Sequence, residues 1–154
     1  MDYTVRPATA ADIEPLVALR LALLREAGEL PPDGDGAALA AATRAYLARA
    51  LPAGEFLAWV AEAGGAVVAT SGLNLFHRAP YPGNLTGREG FVLNMYTVPA
   101  WRGRGIATAL MRALIAAARA QGLSRLWLGA TAAGRPVYRR LGFVELTGEM
   151  ELRL

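Results

Sequence analysis

The stretch Val98-Pro99-Ala100-Trp101-Arg102-Gly103-Arg104-Gly105-Ile106-Ala107-Thr108 joins a run that reads as strand to a run that reads as helix. The run before it, Gly90 to Val98, is rich in Phe, Val, Leu, Tyr and Thr, which suit a pleated surface, and Pro99 closes it. After it, Ile106, Leu110, Met111, Leu114 and Ile115 recur at helical spacing over more than one face, as on a helix packed against a sheet, and Gly122 marks its end. A strand-to-helix turn of this kind aims backbone N–H groups and the positive end of a helix dipole at one small volume. That volume suits a phosphate. Gly103 and Gly105 let oxygens approach with no Cβ in the way, and Arg102 and Arg104 add charge. A dinucleotide fingerprint would need a third Gly where Thr108 stands. Taken alone, the turn also reads as a plain tight connection.

Working toward the N-terminus, Phe56 to Glu62 and Val67 to Phe76 are β-rich runs separated by Ala63-Gly64-Gly65-Ala66, a hairpin spacing. Tyr3 to Arg6 reads as a short first strand. Asp12 is placed to cap a helix carrying Ile13, Leu16, Leu19, Leu23 and Leu24, which Gly28 ends. Ala37 to Leu51 reads as a second helix, with Leu39, Thr43, Tyr46, Leu47 and Leu51 inward. Toward the C-terminus come a strand at Leu126 to Leu128, a helix around Pro136 to Leu141, and a final strand pair over Phe143 to Leu154. No repeat or linker divides the 154 residues, so they read as one α/β (α+β) domain, residues 1–154.

With 54% hydrophobic and 19% charged residues the chain is too apolar for disorder, and arginines interrupt each apolar run well short of the ~20 residues of a membrane span. No membrane association is expected, and the absence of an apolar leader makes the cytoplasm the expected address. There is no Cys and one His, which excludes a cysteine nucleophile, thiolate zinc and a histidine-rich metal site, so no metal is expected. All 16 basic residues are Arg, which excludes the phosphate loop ending in Gly-Lys and a lysine Schiff base. Between Gly90 and Val144 lie eight Arg and no acid, a local charge of +8, while the remaining eight Arg face thirteen acids, −5. A polyanionic partner for the first part is one reading, and a solvated arginine face is the other.

The quoted stretch is similar to motif A of the GNAT superfamily of N-acetyltransferases, whose signature Gln/Arg-x-x-Gly-x-Gly/Ala is filled by Arg102, Gly105 and Ala107. Tyr138-Arg139-Arg140-Leu141-Gly142-Phe143 resembles the Tyr-x-x-x-Gly-Phe of the downstream motif B. The resemblance implies a central, mostly antiparallel mixed sheet flanked by helices, with acetyl-CoA as co-substrate. It implies that Arg102, Gly103, Arg104, Gly105, Ile106, Ala107 and Thr108 bind the pyrophosphate. It further implies that the backbone of Tyr96, Thr97 and Val98 meets the pantetheine arm and acetyl carbonyl, and that Tyr138 is the general acid. Where the family usually has Asn, this chain has Thr131, which replaces that cofactor contact in part.

Acetyl transfer to an amine passes through an oxyanion and expels a thiolate, which a phenol can protonate. An alkylamine with pKa near ~10.4 must also lose a proton. Glu89 and His77 are base candidates by residue type, while Asn94 and Tyr96 could orient a water. Strand alternation puts Glu89 opposite Asn94 and Tyr96 unless a bulge resets it. A hydrolytic triad of His77 with Ser71 or Ser124 lacks a nucleophile elbow. The expected activity is direct transfer to a primary amine of a small molecule or peptide, with no acyl-enzyme and no nucleic-acid partner. A non-catalytic acyl-CoA sensor is the alternative, and a nucleic-acid binder using the +8 segment is a third reading. Glu26, Glu29, Asp33 and Asp35 would form an acidic rim favouring a cationic acceptor. A homodimer is left open.

Overall fold

Five strands form one sheet in chain order: β1 Thr4–Pro7, β2 Phe56–Ala63, β3 Ala66–His77, β4 Arg88–Thr97 and β5 Leu126–Leu128. Neighbours from β1 to β4 are antiparallel, and β5 runs parallel to β4. The helices are α1 Ile13–Glu26, α2 Ala37–Ala53, α3 Ile106–Ala120 and α4 Arg135–Arg140. These come from a computed structural model that describes residues 2–31, 33–34, 36–148 and 150–154.

Alternation along β2 divides the core in two. Phe56, Ala58 and Val60 pack against Leu16, Val17 and Leu21 of α1 and Leu47 and Ala50 of α2. Trp59, Ala61 and Ala63 point the other way, toward Ile106, Leu110, Met111 and Leu114 of α3, where Tyr138 of α4 also packs. Gly64 and Gly65, both at positive φ, close the β2–β3 hairpin at the expected place.

Asp12 does not cap α1 with its side chain. Thr9 instead caps a 3-10 turn over Ala10–Asp12 through a capping box with Asp12. The Asp12 carboxylate accepts two 2.9 Å hydrogen bonds from the Arg6 guanidinium.

The expected strand pair over Phe143 to Leu154 is absent: the described residues there form no strand. Val144, Leu146, Met150, Leu152 and Leu154 are exposed. Apolar residues at every second position need a sheet edge to bury one face, and an extended segment without such an edge has nothing to hold it as a strand.

Two features of β4 position the site. Its register with β3 shifts between the pairs Thr70–Tyr96 and Gly72–Leu93, so Asn94 and Met95 bulge opposite Ser71. Asn94 stands at φ 56°, a left-handed conformation that Asn tolerates better than most residues. β4 pairs with β5 only over Gly90 to Val92, so from Leu93 onward the edge of β4 is free of β5 and the sheet is open.

Candidate active site

The loop after β4 opens with a 3-10 turn over Pro99–Trp101, then Gly103 and Gly105 at φ +74° and +76°. A Cβ at either glycine would meet no protein atom within 4 Å, so the glycines serve the backbone turn and leave space outside it. Gly105 is the N-cap of α3 and supplies no side-chain cap. The first N–H groups of this 15-residue helix therefore face the open side of the loop without a capping side chain. Ile106 is buried in the core, so only its backbone is available to a ligand.

The two loop arginines are not equivalent. Arg104 is exposed and lies over the Trp101 ring at 4.6 Å, donating to the Ala100 carbonyl. Arg102 is engaged elsewhere: its Nε donates to the Thr97 carbonyl at 2.9 Å, and its Nη2 reaches Glu26 of α1 at 2.7 Å, over the Tyr96 ring. This ion pair holds the Glu26 carboxyl below its ordinary range. Burial, with Glu26 adding to it, raises the Tyr96 phenol.

On β4 the Val98 N–H bonds Val68 of β3, so it cannot face a ligand. By the same alternation the backbone of Tyr96, paired with Thr70, also turns toward β3, and that of Met95 and Thr97 turns toward the open edge. The bulge carries no spacing signature, and local propensity does not locate it. Beside it, the buried hydroxyls of Thr70 and Ser71 have no hydrogen-bond partner among the described residues.

Tyr138 sits on α4 on the same face of the sheet as α3, nine-tenths buried and edge-on to Phe143 at 5.9 Å. Burial raises its pKa, which keeps the phenol protonated at neutral pH and thus able to act as an acid. Thr131 Oγ1 accepts the Gly134 N–H at 3.1 Å and so shapes the turn into α4, leaving its hydroxyl proton for any further contact.

Glu89 is corrected. It is fully buried near the start of β4, paired with Phe76 of β3, and roughly 20 Å of strand separates it from Tyr96. It accepts a 2.5 Å hydrogen bond from the Tyr81 hydroxyl, with Arg125 at 3.4 Å and Arg78 at 3.5 Å. Burial alone would raise its pKa; Tyr81 and the two arginines outweigh that and hold it low. In this setting the carboxylate is the counter-ion of Arg78 and Arg125. His77 lies at the same end, opposite Arg88. The acidic rim is thinner than expected, because Glu26 is paired with Arg102. Asp35 lies outside the described residues.

A hollow of about 670 Å³ lies away from this loop, with Tyr138 in its lining. It follows the free edge of β5 and is lined by Ile115, Ala118 and Arg119, roughly 14–20 Å along α3 from its N-terminus. A hollow of about 310 Å³ lies on the α1–α2 face beside the bulge, lined by Arg20, Thr43, Tyr46, Asn74 and Asn94 among others. Arg20 had no signal in the sequence.

The model of the Acetyltransferase (GNAT) family matches residues 22–143. No curated protein matches the chain. Among solved structures, a predicted acetyltransferase of Clostridium acetobutylicum, solved with acetyl-CoA, is 32% identical with TM-score 0.89, over 99% of this chain and 96% of that one. A GCN5-related N-acetyltransferase from Ralstonia eutropha JMP134 is 34% identical with TM-score 0.87, over 99% of both chains. Glucosamine-6-phosphate N-acetyltransferase from Arabidopsis thaliana, 13% identical over 99% of both chains with TM-score 0.77, shares the fold.

Proposed function

The chain belongs to the GNAT acetyltransferase family, whose members use acetyl-CoA as co-substrate, and from that premise we propose that it transfers acetyl directly to a primary amine. The observation that carries this reading is the α3 N-terminus without a side-chain cap, set behind Gly103 and Gly105 at the end of a strand whose edge is open. The N–H groups from Gly103 to Thr108 suit a pyrophosphate, with the exposed Arg104 as the loop cation that meets no acid among the described residues and Arg102 bracing the loop against α1. The backbone edge at Met95 and Thr97 suits the pantetheine arm and the oxyanion.

The amine nitrogen attacks the thioester carbonyl, and the C–N bond forms as the C–S bond breaks. The departing sulfur takes the Tyr138 proton, which the phenolate regains from solvent. The amine proton leaves through water, since Glu89 and His77 are remote. The acceptor arrives as an ammonium ion, and Glu29 and Asp33 on the rim favour that charge. Because the substrate is acetyl-CoA, we assign the protein to the cytoplasm.

We also assign a homodimer. The C-terminal segment exposes apolar side chains at alternate positions, and β5 leaves one edge unpaired, so two copies can satisfy each other's segment and edge around a two-fold. A monomer mass in solution would remove this assignment.

Thiol release from acetyl-CoA across a panel of amines tests the transferase reading. Stoichiometric thiol and acetyl-amine support it. Tight CoA binding with no turnover would favour the acyl-CoA sensor.

A further inference from the structure

The hollow beside the bulge presents an unusual balance of hydrogen-bonding groups. Arg20, half-buried on α1, donates to the Asn94 side-chain oxygen and has no carboxylate within 4.0 Å among the described residues. Among the described residues nine other arginines each meet an acid, and those that meet none there are exposed or, like Arg88, bonded to Gln121. A half-buried guanidinium beside a neutral amide loses hydration without gaining a counter-ion.

The neighbours have the same polarity. Because the Asn94 oxygen accepts from Arg20, its Nδ2 remains a donor. The Tyr46 hydroxyl donates to the Asn74 oxygen at 2.6 Å, so Asn74 Nδ2 is a donor as well. Arg20, Asn74 and Asn94 thus offer donors to a hollow of about 310 Å³ whose lining contains no acid. Charged groups nearby on α2 and the following turn are Arg49 and Glu55, which pair with each other.

The hollow lies on the face opposite α3, at the point where β4 parts from β5, so a thioester laid along the open edge would present its carbonyl beside it. We propose that this is the acceptor subsite and that the acceptor amine also carries a carboxylate, bound by Arg20 with Asn74 and Asn94. One cation among neutral donors matches a monoanion, and a guanidinium fork fits a carboxylate. The substrate class is therefore a small amino acid or a compound with the same pair of groups. This rests on the acetyltransferase reading.

The experiment compares free amino acids with their amides, measuring kcat/KM by thiol release in the wild type, Arg20→Gln and Arg20→Lys, with the Kd for CoA measured on each variant. The expected result is a wild-type preference for the acid of roughly 10- to 100-fold, the range of a charge-assisted hydrogen bond. Arg20→Gln should abolish that preference, chiefly through KM and with the Kd for CoA unchanged, and Arg20→Lys should keep part of it. Equal use of acid and amide by the wild type, or a preference that survives in Arg20→Gln, overturns the carboxylate subsite and leaves the transferase reading standing. Failure of every amine to turn over overturns both. Binding of CoA in Arg20→Gln reports that the variant is folded.

Discussion

Replacing Gly105 with Val separates the cofactor cradle from the fold that supports it. At φ +76° any L-residue is strained, by about 1–2 kcal/mol, and a β-branched side chain lies at the upper end, near ~2 kcal/mol. No protein atom lies within 4 Å of the new Cβ, so the protein adds no steric cost there. In a domain of 154 residues, ~2 kcal/mol lowers Tm by roughly 4–8 °C. The same arithmetic applies to Gly54, at φ +68° with equally open surroundings but at the C-terminal end of α2, so Gly54→Val is a matched control for strain. The two variants should melt alike. Only Gly105→Val should weaken CoA, by at least ~100-fold or ~2.7 kcal/mol, because its side chain enters the volume assigned to the pyrophosphate. Calorimetric titration with CoA beside thermal melts reads both quantities. Equal CoA affinity in the two variants would refute the cradle, whatever the melts show.

Tyr138→Phe should lower kcat by up to roughly 100-fold with little change in CoA affinity, since a thiolate leaving group needs modest help; unchanged kcat would make Tyr138 a packing residue only. Its phenol, raised by burial, should stay protonated through neutral pH, so kcat/KM should climb with the acceptor amine's own ionisation. A rising limb that stays fixed when amines of different pKa are compared would point to a protein base instead. Glu89→Gln should cost stability, roughly 1–3 kcal/mol by thermal melt, with kcat and its pH profile intact; the reverse pattern would restore Glu89 to the chemistry. Arg6 holds Asp12 down to about 2 from an ordinary 3.8, so its contribution is complete above about pH 4 and is lost as pH falls through 2. That contribution is ~2 kcal/mol by the size of the shift. Asp12→Asn should remove that acid-side dependence; identical acid unfolding of variant and wild type would contradict it.

What the sequence revealed and what it concealed follow from the range of the interactions. The loop after β4 is local: turn, glycines and helix start lie within about ten consecutive residues, so spacing showed the turn, while its reading as a cofactor cradle came with the family resemblance. The β2–β3 hairpin was legible because Gly64 and Gly65 join two apolar runs through a tight turn. Glu89 was misread because its partners, Tyr81, Arg125 and Arg78, come from three separate segments, and burial against a remote arginine leaves no periodic trace. Arg20 was invisible for the same reason, since its partner Asn94 lies 74 residues away. The C-terminal residues carry a strand's alternation, but alternation records which face seeks burial and not what covers it.

The measurement that most directly tests the account is a CoA titration followed residue by residue through backbone amide resonances of the uniformly labelled protein. The account predicts that the largest shifts fall on the amides from Gly103 to Thr108 and on Met95 and Thr97, with little change along the groove of Ile115, Arg119 and Leu126. Shifts concentrated in that larger groove, with the loop amides unmoved, would contradict it.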